Sequence, residues 1–337
     1  MRSSSGTQAS PKIVIDLSSD RDGDVDAVSA CIAKILANTN YDDAELDKQL
    51  APNVKILKLS PEATGFPAWT RDNEDRGYAD WLVPAGATNA SPRILYTHGG
   101  GYEFYSPQDV YRPVTTRLAS STGMPVFAID YRLCPEFKHP AQLDDAVQAF
   151  RWIAENGPDG PAPATTIFLS GDSAGGGLAL ALALRLRDEP VPEGSVAGIA
   201  VVSPQTDMTC TGESYTSRRW KEGGGPLCDP IFQGEDPTAD SMPQIYKLLG
   251  APGESGSIDL TDPALSVLHA ELHGLPSTLI NVGDAEVMLS DSVEFGKKAT
   301  LAGSPVRVRV WPRMWHCFTQ YSEGGGGEDP IPLREAK

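Results

Sequence analysis

The stretch Ile167–Gly177, Ile-Phe-Leu-Ser-Gly-Asp-Ser-Ala-Gly-Gly-Gly, restricts the fold more than any other part of the chain. Its apolar start, Ile167 to Leu169, predicts a buried strand. The Leu/Ala run from Leu178 to Leu184 predicts a helix of strong formers. Between them Gly171-Asp172-Ser173-Ala174-Gly175 matches G-x-S-x-G, and a few residues must turn the chain from strand to helix. The glycines two before and two after Ser173 let strand and helix approach each other. The serine hydroxyl is then presented at the C-terminal edge of a sheet, beside a helix N-terminus whose free N–H groups favour negative charge. A glycine-rich loop that only packs a helix on a strand would share this composition. The rest of the chain therefore has to supply a base, an acid and oxyanion donors before the serine counts as a nucleophile.

The chain of 337 residues is long enough for one large α/β domain with insertions or for two domains. Eight strands are predicted, at Asn53–Leu59, Tyr78–Val83, Arg93–Thr97, Pro125–Tyr131, Ile167–Leu169, Val196–Val202, Ser277–Gly283 and Val306–Trp311. Helices are expected between them at Pro107–Ser121, 140–156, after Ser173, and from Asp291 to Leu301. Strands alternating with helices imply an α/β fold with a mostly parallel sheet and a ligand site at the strands' C-terminal edge. Two segments break the pattern. Helical spacing from Val25 to Leu36 and from Asp42 to Leu50 precedes the first expected strand, and residues 205–262 are polar, aromatic and Gly/Pro-rich with one helix near 238–249. The second segment is too long for an ordinary connection and is expected to be a functional insertion. The tail after Glu323 is glycine-rich and charged, which predicts a flexible end.

A net charge of −17 argues against a nucleic-acid partner, because phosphate recognition needs clustered Lys and Arg. No apolar run reaches the roughly 18 residues of a membrane span, and the N-terminus lacks the apolar segment of a secretory signal. The five cysteines form no C-x-x-C, which leaves a structural zinc site unsupported and suggests reduced thiols in a cytoplasmic protein; Cys210 and Cys228 are placed to close a loop if any pair does.

Of the five histidines, His316 follows the last predicted strand and lies at the edge where Ser173 emerges, so it is the candidate base. The loop after Ser277–Gly283 offers Asp284, Glu286 and Asp291 as candidates for the acid that would orient it. Asp291, at a helix start, is more simply read as an N-terminal cap. The order serine, acid, histidine fits a strand-edge triad. His98-Gly99-Gly100-Gly101 follows the third strand, and its side-chain-free residues let backbone N–H groups approach a substrate. Gly100 and Gly101, with Ala174, are the expected oxyanion donors, and His98 is read as holding the loop.

Taken together, His98–Gly101, Gly171–Gly175, Asp130-Tyr131-Arg132-Leu133-Cys134-Pro135-Glu136, Pro140-Ala141 with Asp144-Asp145, and Asp262-Pro263-Ala264-Leu265-Ser266 resemble the hormone-sensitive-lipase-like esterases, the GDSAG branch of the α/β-hydrolases. The resemblance runs from about residue 78 to 320. It implies an eight-stranded hydrolase sheet with a helical cap, and so a catalytic core of 51–204 and 263–322, a cap formed by 1–50 and 205–262, and a tail at 323–337. Trp220 and Tyr215 would then line the pocket under the cap. Tyr131-Arg132, Glu136 and Asp172 would brace the site without doing chemistry.

The chain departs from the family pattern at two places. Alignment of the seventh strand and the helix after it puts Glu286, not Asp284, where the family has its catalytic aspartate. Cys317 stands where the family usually has glycine after its histidine. The implied activity is hydrolysis of small, short-acyl carboxylic esters by Ser173, His316 and Glu286, with Asp284 as the alternative acid and no metal or organic cofactor. The same machinery serves amides, lactones and deacetylation, and some family members are small-molecule receptors. Homodimers are common in the family.

Overall fold

The computed structural model describes residues 14–17, 50–59, 78–108, 110–220, 227–233 and 259–320, with residues 14–17 described by their backbone. The helices expected over Val25–Leu36 and 238–249, the one over Asp42–Leu50 apart from Leu50 itself, and the tail after Glu323 lie outside the described residues.

Nine strands form one sheet: β1 (Val14–Leu17), β2 (Val54–Leu59), β3 (Ala79–Pro84), β4 (Arg93–Thr97), β5 (Val126–Ile129), β6 (Ile167–Asp172), β7 (Val196–Val202), β8 (Thr278–Gly283) and β9 (Val306–Trp311). Their order is β1-β9-β8-β7-β6-β4-β5-β3-β2. Strand β3 is antiparallel to both neighbours, and every other pairing is parallel. Strands β2–β9 are the eight expected from the sequence. The ninth, β1, adds a short edge strand beside β9, ahead of the first element the sequence predicts; four residues are too few to show a periodicity.

Helices α1 (Arg112–Thr122), α2 (Ala141–Glu155), α3 (Ser173–Asp188) and α4 (Leu289–Leu301) cover the two faces. The two-residue period of the strands divides the core. Ile94, Tyr96, Val126 and Ala128 point to the side that meets Tyr111 and Ala119 of the α1 segment. Leu95, Phe127, Ile129 and Leu169 point to the larger core with Phe150, Leu182 and Phe295 of α2, α3 and α4. Helix α3 is apolar nearly all round because it is buried nearly all round.

The topology places the site. From β4 the chain continues to β5 on one side, and from β6 it continues to β7 on the other. The two strands lie side by side with Thr97 opposite Gly171, so their C-terminal ends open a crevice where the strand order reverses. The His98–Gly101 loop leaves one of these ends and Ser173 leaves the other.

Below the sheet's other end, Arg93 is fully buried and donates to four backbone carbonyls: Asn89 at 2.9 Å, Ala162 at 2.8 Å, Asn156 at 3.1 Å and Ile153. It ties β4 to the end of α2 and the loop that follows. Arg93→Met would leave these carbonyls buried and unmatched. The expected loss is about 3 kcal/mol of stability, read as a lower urea midpoint with unchanged slope.

Candidate active site

Ser173 sits at the junction of β6 and α3 with φ +54°, a left-handed conformation that costs a non-glycine residue about 1–3 kcal/mol. The strain is held by the tight approach of α3 to β4. A Cβ on Gly175 would fall inside the carbonyl oxygens of Thr97 and His98, and the Thr97 hydroxyl donates to the Gly175 carbonyl at 2.7 Å. A side chain there would push the helix away and release the turn.

His316, five residues past β9, is buried and places Nε2 2.9 Å from Ser173 Oγ. Its Nδ1 lies 3.4 Å from Glu286 Oε2. Glu286 is fully buried in the loop after β8. Ser203 donates to its Oε2 at 2.7 Å, and the Gly283 N–H donates to its Oε1 at 3.2 Å. Burial pushes the Glu286 carboxyl well above the usual carboxylate range, against the pull of these donors and of the Cys317 N–H. Burial also lowers the His316 imidazole from its ordinary value, opposed by the nearby charges of Asp229 and Asp172.

Asp284 is directed elsewhere. Its carboxylate accepts the Arg313 N–H at 2.5 Å, which fastens the loop after β8 to the loop after β9. Asp291 lies inside α4, not at its cap, and accepts the backbone N–H groups of Thr206 at 2.8 Å and Asp207 at 2.9 Å. The capping role expected for it is therefore replaced by a clamp on the chain leaving β7. Of the three acids on this loop, only Glu286 approaches the imidazole.

In the loop after β4, Gly100 and Gly101 have φ +106° and +61°. The Gly100 carbonyl accepts N–H bonds from Glu103 and Phe104 at 3.1 and 2.9 Å, which folds the turn back on itself. A Cβ on Gly100 would strike the Phe104 carbonyl. Ala174 is in the first turn of α3, where backbone N–H groups have no partner within the helix. His98 stacks on Tyr131 with ring centres 4.3 Å apart, and the Tyr131 hydroxyl donates to the His98 carbonyl at 2.6 Å.

A family model described as alpha/beta hydrolase fold matches residues 94–320. An acetyl-hydrolase of Streptomyces hygroscopicus is 36% identical over 245 residues, covering 72% of this chain and 73% of that one. A solved esterase from the bacterial hormone-sensitive lipase family superposes with a TM-score of 0.70 at 28% identity, covering 92% of this chain and 95% of that one. The chain belongs to the hormone-sensitive-lipase-like esterases of the α/β-hydrolase fold. An esterase of Acinetobacter venetianus is likewise similar, at 32% identity over 69% of this chain and 70% of that one.

Several residues of this esterase's site were not anticipated from sequence. Ser203 directly follows β7 with φ +48°, and its hydroxyl also accepts the Cys317 N–H at 3.0 Å, joining the acid loop to the histidine loop. Its only sequence signal is its place at a strand end. Asp172 is a buried hub, as a scaffold residue should be: Tyr96 donates to it at 2.5 Å and Tyr111 at 3.0 Å, Gln320 donates as well, and the Cys317 thiol lies 3.6 Å away.

Two expected braces differ. Arg132 pairs with Asp145 at 2.7 Å, while Glu136 is exposed, because the i,i+13 partner on α2 meets the guanidinium fork. Tyr215 is buried against Asp207, Cys210 and Asp291 at the root of the insertion. The side chain of Trp220 lies outside the described residues. The insertion brings Asp229 and Phe232 to the site. The Phe232 ring meets His316 edge-on at 5.2 Å. Neither residue carries a motif, so only the fold reveals them.

His316 must be neutral to accept a proton. Since burial lowers its pKa, the acid limb of kcat/KM for a neutral ester should fall below the usual imidazole range near 6.5, with activity kept through mildly acid pH and lost below it. A pH–rate profile with p-nitrophenyl acetate checks this; a midpoint above the usual range would contradict it.

Proposed function

We propose that this esterase hydrolyses small, short-acyl carboxylic esters through Ser173, His316 and Glu286, with Gly100, Gly101 and Ala174 as oxyanion donors. The observation that carries the reading is the 2.9 Å contact between His316 Nε2 and Ser173 Oγ at a strained strand-to-helix turn.

Ser173 Oγ attacks the ester carbonyl while its proton passes to His316 Nε2. The carbonyl electron pair moves onto oxygen and is held by backbone N–H groups, each worth roughly 10²–10³ in rate. Collapse of this intermediate expels the alcohol, which leaves with the proton from His316. Water then attacks the acyl-enzyme, gives its proton to the same nitrogen, and frees the acid as Ser173 is reprotonated. Glu286 holds the imidazole and stabilises its cation. Its longer side chain does from the loop after β8 what an aspartate does on a closer backbone.

The preference for short acyl groups is supported by relatives named acetyl-hydrolase and, at 30% identity, ethyl acetate hydrolase of Pseudomonas putida. Phe104 and Tyr105, directly after the glycine loop, are half exposed and offer apolar contact to the substrate. The part of 1–50 outside strand β1 and segment 205–262 are assigned as a cap over the core of 51–204 and 263–322, with Val14–Leu17 counted with the core sheet it extends. The approach of Asp229 and Phe232 to His316 supports this for the second segment. Cys134, Cys210, Cys228 and Cys317 are free thiols, including the two placed to close a loop, which supports a reducing compartment such as the cytoplasm. No helix among the described residues is long and apolar enough to cross a membrane.

Ser173→Ala should remove turnover of p-nitrophenyl acetate and butyrate while leaving the fold intact by circular dichroism; retained turnover would refute the mechanism. Glu286→Ala should lower kcat by about 10²-fold or more, and Asp284→Ala by only a few-fold, since Asp284 supports a loop without reaching the base. The reverse ranking would move the acid role to Asp284.

A further inference from the structure

Asp229 has no part in the mechanism above, yet it is fully buried beside it. It begins the short strand Asp229–Gln233 of the insertion, whose backbone pairs with Arg219–Trp220. Its carboxylate accepts the Ile231 N–H at 3.1 Å and the Val287 N–H at 3.2 Å. The second bond grips the residue next to Glu286. Carboxylate oxygens of Asp229 and Glu286 and an imidazole nitrogen of His316 all lie within 4.8 Å of one another. Two backbone N–H bonds offset only part of the cost of burying a carboxylate, so a cation beside it would be strongly favoured. The cation this site generates is the imidazolium of His316.

We propose that Asp229 is a second positioning carboxylate for His316, which shares with Glu286 the stabilisation of the imidazolium from the insertion side. This rests on the triad reading. Among the described residues, the titratable groups that face the imidazole are Asp172 from the end of β6, Glu286 from the loop after β8, Cys317 from its own loop with Sγ 3.3 Å from Nε2, and Asp229 from the insertion. Burial and the facing Glu286 push Asp229 up to about 7, so near neutrality the two acids carry fewer than two charges between them, and the arriving imidazolium favours their ionised forms. A triad whose acid has no stand-in loses about 10⁴ in kcat when that acid becomes an amide. Here Asp229 stands in for Glu286, and the part of the chain that covers the site also tunes its base.

The test compares Asp229→Asn, Glu286→Gln and the double variant, with Ser173→Ala as background. Asparagine keeps one acceptor oxygen and the side-chain volume while removing the charge. Asp229→Asn should lower kcat about tenfold with KM changed less than twofold, and should shift the acid limb of kcat/KM to lower pH, because the carboxyl that ionises to pair with the imidazolium is lost. Glu286→Gln should lose about 10²-fold, and the double variant about 10⁴-fold. An acid limb for Asp229→Asn that coincides with wild type, together with a double variant no slower than Glu286→Gln, would overturn the proposal: Asp229 would then only brace the loop. Should Asp229→Asn fail to fold, Glu286→Gln decides alone, since a fall to the Ser173→Ala background leaves no stand-in acid. Activity surviving in Ser173→Ala would instead overturn the triad reading itself.

Discussion

The close approach of helix α3 to strand β4 is the constraint on which the rest of the site depends. The Gly175 backbone lies against the carbonyls of Thr97 and His98, and the Thr97 hydroxyl closes the contact. This contact forces the turn at Ser173 into the left-handed region and aims its hydroxyl out of the sheet edge. It also sets the first turn of α3 beside the His98–Gly101 loop. The proposed nucleophile and oxyanion donors are thus placed by one packing event between two adjacent parallel strands. The strain is offset by the buried apolar surface of α3, which the same contact brings into the core.

Around this turn the esterase has gathered three buried carboxyl groups. Asp172, Asp229 and Glu286 all face His316 or its immediate neighbours, and each is held by neutral hydroxyl, amide, thiol or backbone donors with no Arg or Lys among the hydrogen-bond partners described. Neutral donors keep a carboxylate in place without cancelling its charge. That leaves the field free to act on the one group at the centre that becomes cationic. Arg132 and Asp145, by contrast, are paired away from the serine, where a full ion pair gives rigidity and costs the chemistry nothing.

The loops after β7, β8 and β9 are joined by short side chains acting as crosslinks. Ser203 bridges Glu286 and Cys317, Asp284 accepts from Arg313, and Asp291 clamps Thr206 and Asp207. Each link removes freedom from a loop that must hold a catalytic group to within a fraction of an ångström. The two acids near Glu286 thus do work of their own, which explains why three carboxylates crowd one loop when a triad needs one.

Much of this protein was legible in its sequence. The strands were readable from apolar runs, as at Arg93–Thr97 and Val196–Val202, or from alternation, as at Val306–Trp311, and these three match the structure residue for residue. Ser173, His316 and the glycine loop were readable because strand-to-helix turns and close backbone approach demand particular residues at fixed spacing, and the order of motifs carried the family. Contacts between segments distant in the chain were not readable. Whether Asp284 or Glu286 reaches the imidazole depends on which way a loop folds. That Ser203 and Asp229 meet at Glu286 depends on β7, β8 and the insertion converging at one edge. Local sequence determines conformation through sterics and periodicity, which act over a few residues. Electrostatic partners across 58 to 143 residues are decided only when the sheet is assembled and water leaves the crevice.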